Sequence, residues 1–165
     1  MTIRVWKGMF AVVIFLPVCG STGQAAQDQQ QVQQQQVVQQ QGGIEGVWDV
    51  TVTARSCATG AALFTGRSIL MFIDGGTLTE IADRANRSTG LGTWRYVSGS
   101  SYTALEKFID YTATGGFSGT EVITREIELN KNADGYTATA TTQVYDAADQ
   151  LINTVCATAT ATRFE

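Results

Sequence analysis

From Ile44 to the C-terminus, apolar and polar residues alternate with a period of two. "VWDVTVTA" sets Trp48, Val50, Val52 and Ala54 on one face of an extended chain, with Asp49, Thr51 and Thr53 on the other. The closing "CATATATRFE" repeats the device, with Ala157, Ala159, Ala161 and Arg163 opposed to Thr158, Thr160 and Thr162. No helical period runs long enough to compete. Thr, Val, Ile, Tyr and Phe, which suit a pleated surface, crowd this region, and it contains no proline.

Eight strands are predicted, over 46–55, 63–74, 77–83, 92–98, 101–111, 118–129, 136–146 and 151–164. Turn signals separate them: "DGG" at 74–76, "SGS" at 98–100, "TGG" at 114–116, "NADG" at 132–135 and "DAAD" at 146–149. Most are short enough for hairpins, so consecutive strands should be antiparallel neighbours. The longest irregular stretch, "RANRSTGL" at 84–91, is a candidate mouth loop. Such a series either leaves two exposed edges or closes first strand against last. The expected fold is all-β, an eight-stranded antiparallel up-and-down β-barrel, with a β-sandwich as the alternative.

The 43 residues before the strands differ in kind. Residues 1–18 read as an export signal: Arg4 and Lys7 precede an apolar run, Met9–Val18, too short to span a bilayer as a mature helix. "LPVC" at 16–19 resembles the lipobox of bacterial lipoproteins, with Cys19 to be lipidated, although Val18 stands where a smaller residue is preferred. Ordinary cleavage near Ala25 is the alternative, making the signal 1–25. Residues 24–41 carry 12 glutamines in 18 positions, too little apolar surface to offset ordering entropy, so 19–43 reads as a disordered tether to a domain at 44–165. The expected location is periplasmic, outer-membrane or extracellular.

With Cys19 acylated or removed, Cys57 and Cys156 remain as a disulfide pair for an oxidising compartment. Bonding them sets the first and last strands side by side. Taken as directly opposed, they place Trp48 opposite Glu165, Val50 opposite Arg163 and Val52 opposite Ala161. Apolar face then meets apolar face, and Arg163 lies diagonally beside Trp48 within cation–π reach.

"GVW", Gly46–Trp48, opening the first strand, and Arg163 closing the last resemble the calycin superfamily of lipocalins and fatty-acid-binding proteins. "GTW", Gly92–Trp94, is similar to the Gly-x-Trp texture of avidin-like barrels. The layout most resembles secreted bacterial lipocalin-like proteins, although the mid-chain Thr-Asp-Tyr motif of lipocalins is absent. The resemblance implies that Trp48 plugs the base of the barrel, that Arg163 packs across it, and that Gly46, Trp48 and Arg163 are structural.

Composition narrows the chemistry. The formal net charge is −4, with no basic stripe to neutralise phosphates, so nucleic acid is disfavoured as a partner. A membrane would be met only through a lipid anchor on Cys19, and no protein partner is indicated. The chain has no histidine and no CxxC, so no zinc site, and no cofactor is implied. "DGG" at Asp74 and "GGFSG" at 115–119 read as turns rather than as calcium or phosphate loops. Without histidine, Ser-His and Cys-His catalysis is excluded. Glu106, Asp110, Glu121, Glu126 and Glu128 could supply a carboxylate pair, but charges on alternating strands usually face water.

The expected function is binding of a small, partly apolar molecule inside the barrel. Val50, Val52, Trp94, Tyr96, Ile123 and Ile127 are the candidate lining, with Arg125 as an inward anchor for an acidic group. The alternatives are a filled, non-catalytic envelope or extracellular protein that works through its surface and, below that, a barrel enzyme of the isomerase or cyclase type.

Overall fold

A computed structural model of the chain describes residues 43–164. The export signal, Cys19 and the glutamine tract expected over 1–42 lie outside the described residues. The alternating segments form β1 Gly46–Arg55, β2 Ala62–Ile73, β3 Thr77–Ala82, β4 Gly90–Ser98, β5 Ser101–Tyr111, β6 Phe117–Leu129, β7 Gly135–Asp146 and β8 Leu151–Arg163. Each pairs antiparallel with the next, and β1 pairs with β8, so the sheet is a closed barrel rather than a sandwich. Closure leaves no edge strand with unpaired backbone groups.

The β1–β8 register differs from the opposed-cysteine expectation. Trp48 faces Arg163, Val50 faces Ala161 and Val52 faces Ala159, a slip of two residues. The cause lies at Cys57, which is past the end of β1 in the turn leading to β2. Arg55, not Cys57, is the backbone partner of Cys156. The disulfide reaches across from the turn, with Cα atoms 5.0 Å apart. Side chains alternate with period two, so a slip of two keeps every inward residue inward.

The floor of the barrel is filled. Trp48, Phe72 and Tyr136 meet edge to face, with ring centroids 5.1 Å apart for Trp48–Tyr136 and 6.2 Å for Phe72–Tyr136. Tyr136 stands opposite Ala161 and Ala138 opposite Ala159. The alanine face of β8 is therefore the small side of a wall whose large side is aromatic. Its threonines at 158, 160 and 162 are exposed.

Arg163 seals this end. Its guanidinium lies 4.3 Å from the Trp48 ring centroid, directly across the strand pair rather than diagonally. Nε donates to Ala133 O at 2.9 Å, Nη1 to Glu45 O at 2.7 Å and Nη2 to Gly43 O at 2.9 Å. Trp48 Nε1 donates to Ile44 O at 2.8 Å. Gly46 makes this possible: its φ is +123°, and a Cβ there would sit 2.7 Å from Arg163 Nη1. The Gly-x-Trp and arginine pattern is thus one packing unit.

Candidate functional site

The mouth lies at the other end, where β1 ends and β2 begins. A cavity of about 320 Å³ opens there, inside the barrel. Its apolar wall is Val52, Ala54, Phe64, Ile123, Val155 and Ala157. Two wider hollows run over the outside of the barrel among threonines of β6, β7 and β8, and neither is floored by a buried ion cluster.

Charges form the floor and the rim of the inner cavity. At the floor, alternation along "TLTEIA" places Leu78, Glu80 and Ala82 on the inner face of β3. The same alternation brings Glu106 inward from β5 and Arg125 from β6. Arg125 Nη2 donates to Glu80 Oε2 at 2.5 Å and stands 2.5 Å from Glu106 Oε1. All three side chains are more than nine-tenths buried. Gly92 faces Glu106 across β4–β5, and a Cβ there would fall 2.7 Å from the Glu106 Cβ, so glycine at 92 leaves the carboxylate its space.

The two carboxyls are shifted in opposite directions. Burial pushes Glu106 well above the ordinary carboxylate range; Arg125 opposes the shift and the neighbouring Glu80 adds to it. Burial also acts on Glu80, but Arg125 and hydrogen bonds hold that carboxyl below its usual value. Burial and the shared Arg125 thus drive the two carboxyls apart, Glu106 upward and Glu80 downward. Arg125 is buried, yet the two carboxylates hold it more firmly charged than usual.

At the rim, the loop 83–89 folds over the mouth. Arg84 donates to Glu121 Oε1 at 3.0 Å, and Arg87 pairs with Glu121 Oε2. The Arg87 guanidinium also lies 3.7 Å from the Phe108 ring centroid. Burial lowers the pKa of Arg87 and raises that of Asp110 nearby.

Of the expected lining, Val52, Ile123 and Arg125 border the cavity. Val50 and Ile127 are buried in the filled lower half, and Trp94 packs against that core. Tyr96 is 43% exposed near the β4–β5 turn. Strand order explains the division: residues early in β1 and late in β4 and β6 sit at the floor, whereas the cavity occupies the mouth. Arg125 points inward as expected, but it is already engaged by two carboxylates, so it is not a free anchor for an acidic group. Water-facing charge holds for Glu126 and Glu128 but fails for Glu106 and Glu121, which are buried. Glu80, Arg84 and Arg87 were missing from the expected site. The period-two pattern of β3 signals Glu80; nothing local signals the two loop arginines.

Comparison with protein-family models, with curated proteins and with solved structures finds no match.

Proposed function

We propose that this chain is an exported, calycin-like barrel that binds a small, partly apolar molecule in the cavity at its mouth. The observation that carries the reading is the contrast between the two halves of the interior. One half is packed with aromatics, while the other keeps a cavity of about 320 Å³ walled by valine, isoleucine and alanine. That volume is at the small end of ligand pockets, roughly 300–1,000 Å³. Apolar walls with a few convergent polar groups are the usual make-up of such a site. A barrel serving only through its surface would gain from filling this space, as it fills the floor.

Export is supported by the Cys57–Cys156 bond, since disulfides persist in oxidising compartments. The plug of Gly46, Trp48 and Arg163 supports the calycin likeness. A membrane would be reached only by a lipid on Cys19.

A second reading, a barrel enzyme moving a proton, rests on Glu80 and Glu106, whose environments drive their pKa values apart as in acid–base pairs. Only Glu80 of the two borders the cavity, while Glu106 lies beneath Arg125. A general acid or base must reach its substrate, so the geometry favours the binder.

The reading is tested by native mass spectrometry of the purified protein after incubation with a small-metabolite extract. A discrete adduct is expected, and Ala157→Phe, which fills the cavity from β8, should abolish it. Spectra holding only the bare protein mass would overturn the reading.

A further inference from the structure

The outer wall of the barrel has two characters. On β7 and β8 the outward positions are threonines, with Thr137 opposite Thr160 and Thr139 opposite Thr158. On β2, β3 and β4 they are large and aliphatic: Ile69, Met71 and Ile73, then Ile81, then Leu91. All five are more than a third exposed, and the most open, Ile81 and Leu91, reach 61% and 67%. Threonine suits a pleated strand as isoleucine does, and it meets water better. Strand formation therefore accounts for the wall but not for bare hydrocarbon on one side of it.

The strand register joins these residues into one surface. Ile69 is directly opposite Ile81, Met71 and Leu91 stand on either side of Thr79, and Ile73 and Thr93 stand on either side of Thr77. The five aliphatic side chains leave on the order of 450 Å² open; the largest patch on an ordinary monomer, about 300–600 Å², is often a binding site. Among the described residues, no outward position of β2, β3 or β4 is a carboxylate. The two cations at the ends of the face are held by their own chain. Arg67 Nη2 lies 4.0 Å from Asp49 Oδ1, and Arg95 Nε donates to Thr103 Oγ1 at 3.0 Å.

We propose that this face is the interface of a homodimer, with a second copy of the chain as its occupant. A twofold contact needs a surface that complements itself, and the row Met71–Thr79–Leu91 does so about β3. An axis along β3 sets Met71 against the partner's Leu91, while Thr79 and Ile81 meet their own counterparts. The wall curves away from β3 on both sides, and the longer Met71 and Leu91 side chains fill the space that curvature leaves. Arg67 and Arg95 fall at the margin, so no charge is buried. With Thr77, Thr79 and Thr93 the face offers roughly 600 Å² per copy, so the pair buries about 1,200 Å², the lower limit of specific interfaces. The dimer is accordingly weak, with a dissociation constant in the micromolar range. The contact lies outside the barrel, so the inference stands whether or not the cavity holds a ligand.

Sedimentation equilibrium tests the inference on the chain as the cell processes it, carrying Cys19→Ser so that neither a lipid nor a third thiol contributes. The average mass should climb from monomer toward dimer between about 1 and 100 µM. Leu91→Lys and Ile81→Lys should each keep the protein monomeric over that range, with the strand dichroism unchanged. Thr139→Lys, on the threonine side, should dimerise like its parent. Thr79→Cys, on the axis, should give a disulfide-linked dimer on mild oxidation, and Thr139→Cys should not; this readout holds even if a lysine variant fails to fold. A parent that stays monomeric at 100 µM, a dimer that survives both lysine changes, or a Thr79→Cys that does not cross-link would each overturn the inference. Co-flotation of the monomer with phosphatidylcholine vesicles, lost in Leu91→Lys, would assign the face to lipid and overturn the dimer as well.

Discussion

Glu106 shows how a residue's chemistry is set by what surrounds it. In sequence it is one carboxylate of five on alternating strands. In the barrel it is buried against Arg125 and beside Glu80, and that setting raises its pKa well above the ordinary carboxylate range. Because its folded-state pKa is raised above the ordinary 4.5, it favours the fold fully below that value and ceases to do so as pH rises through the folded value. Glu80, held low, acts in the opposite sense: its contribution is present above 4.5 and is lost as pH falls. Glu106→Gln keeps the shape and removes the ionisation. The melting temperature of the variant should therefore rise relative to wild type as pH goes from about 5 to about 9. A difference that stays constant across that range would show that Glu106 does not titrate there. Arg125→Met leaves two buried carboxylates without a counter-charge and should cost about 3–5 kcal/mol in urea unfolding. Adding Glu80→Gln and Glu106→Gln to it should recover most of that loss.

Among the elements, the start of β1 and the end of β8 behave as a single device. Arg163 has three hydrogen bonds to carbonyls and the Trp48 face beneath it. Arg163→Ala should cost about 2–4 kcal/mol. Gly46→Ala introduces a Cβ where the guanidinium lies and imposes a left-handed φ on alanine, so it should cost about 2 kcal/mol. The two changes share one conflict, so the double variant should lose less than the sum of the singles. Strict additivity in denaturant unfolding would show that the two sites are independent. The β4–β5 pair carries a similar restriction. A Cβ at Gly92 would fall 2.1 Å from Leu105 O, so this position sets the close approach that houses Glu106.

At the scale of the molecule, hydrogen bonds around the whole ring and one covalent staple both define the barrel. Cys57 and Cys156 are 99 residues apart in sequence and join the β1–β2 turn to β8 near the mouth. On the chain-entropy account, a loop of this length restricts the unfolded chain by about 4–5 kcal/mol. Cys57→Ser with Cys156→Ser should lower stability by up to about that amount. The β1–β8 ladder is intact without sulfur, so the far-ultraviolet dichroism of the strands should be retained. An unchanged melting temperature would remove the bond from the account of stability. The interior is divided along the barrel axis, with aromatic packing at one end and a cavity with buried charge at the other.

The number of strands, their order and the inward faces of β1 and β8 were legible because alternation is a local property, repeated along each segment and punctuated by turn residues; the inward faces of β2 and β5, where both faces are mixed, were not. The Trp48–Arg163 pairing was legible too, since a register slip of two preserves the faces and the cysteines place the end strands together. The slip itself was not legible, because it depends on where the turn carries Cys57 beyond β1. Nor was the ion cluster. Glu80, Glu106 and Arg125 lie on three different strands, and the closed barrel brings them to one depth, where loss of water and the shared guanidinium drive the two carboxyls apart. Arg84 and Arg87 are positioned by a loop with no period to read. The chain's pattern determined the wall; the meeting of distant side chains in a dry interior decided what the wall encloses.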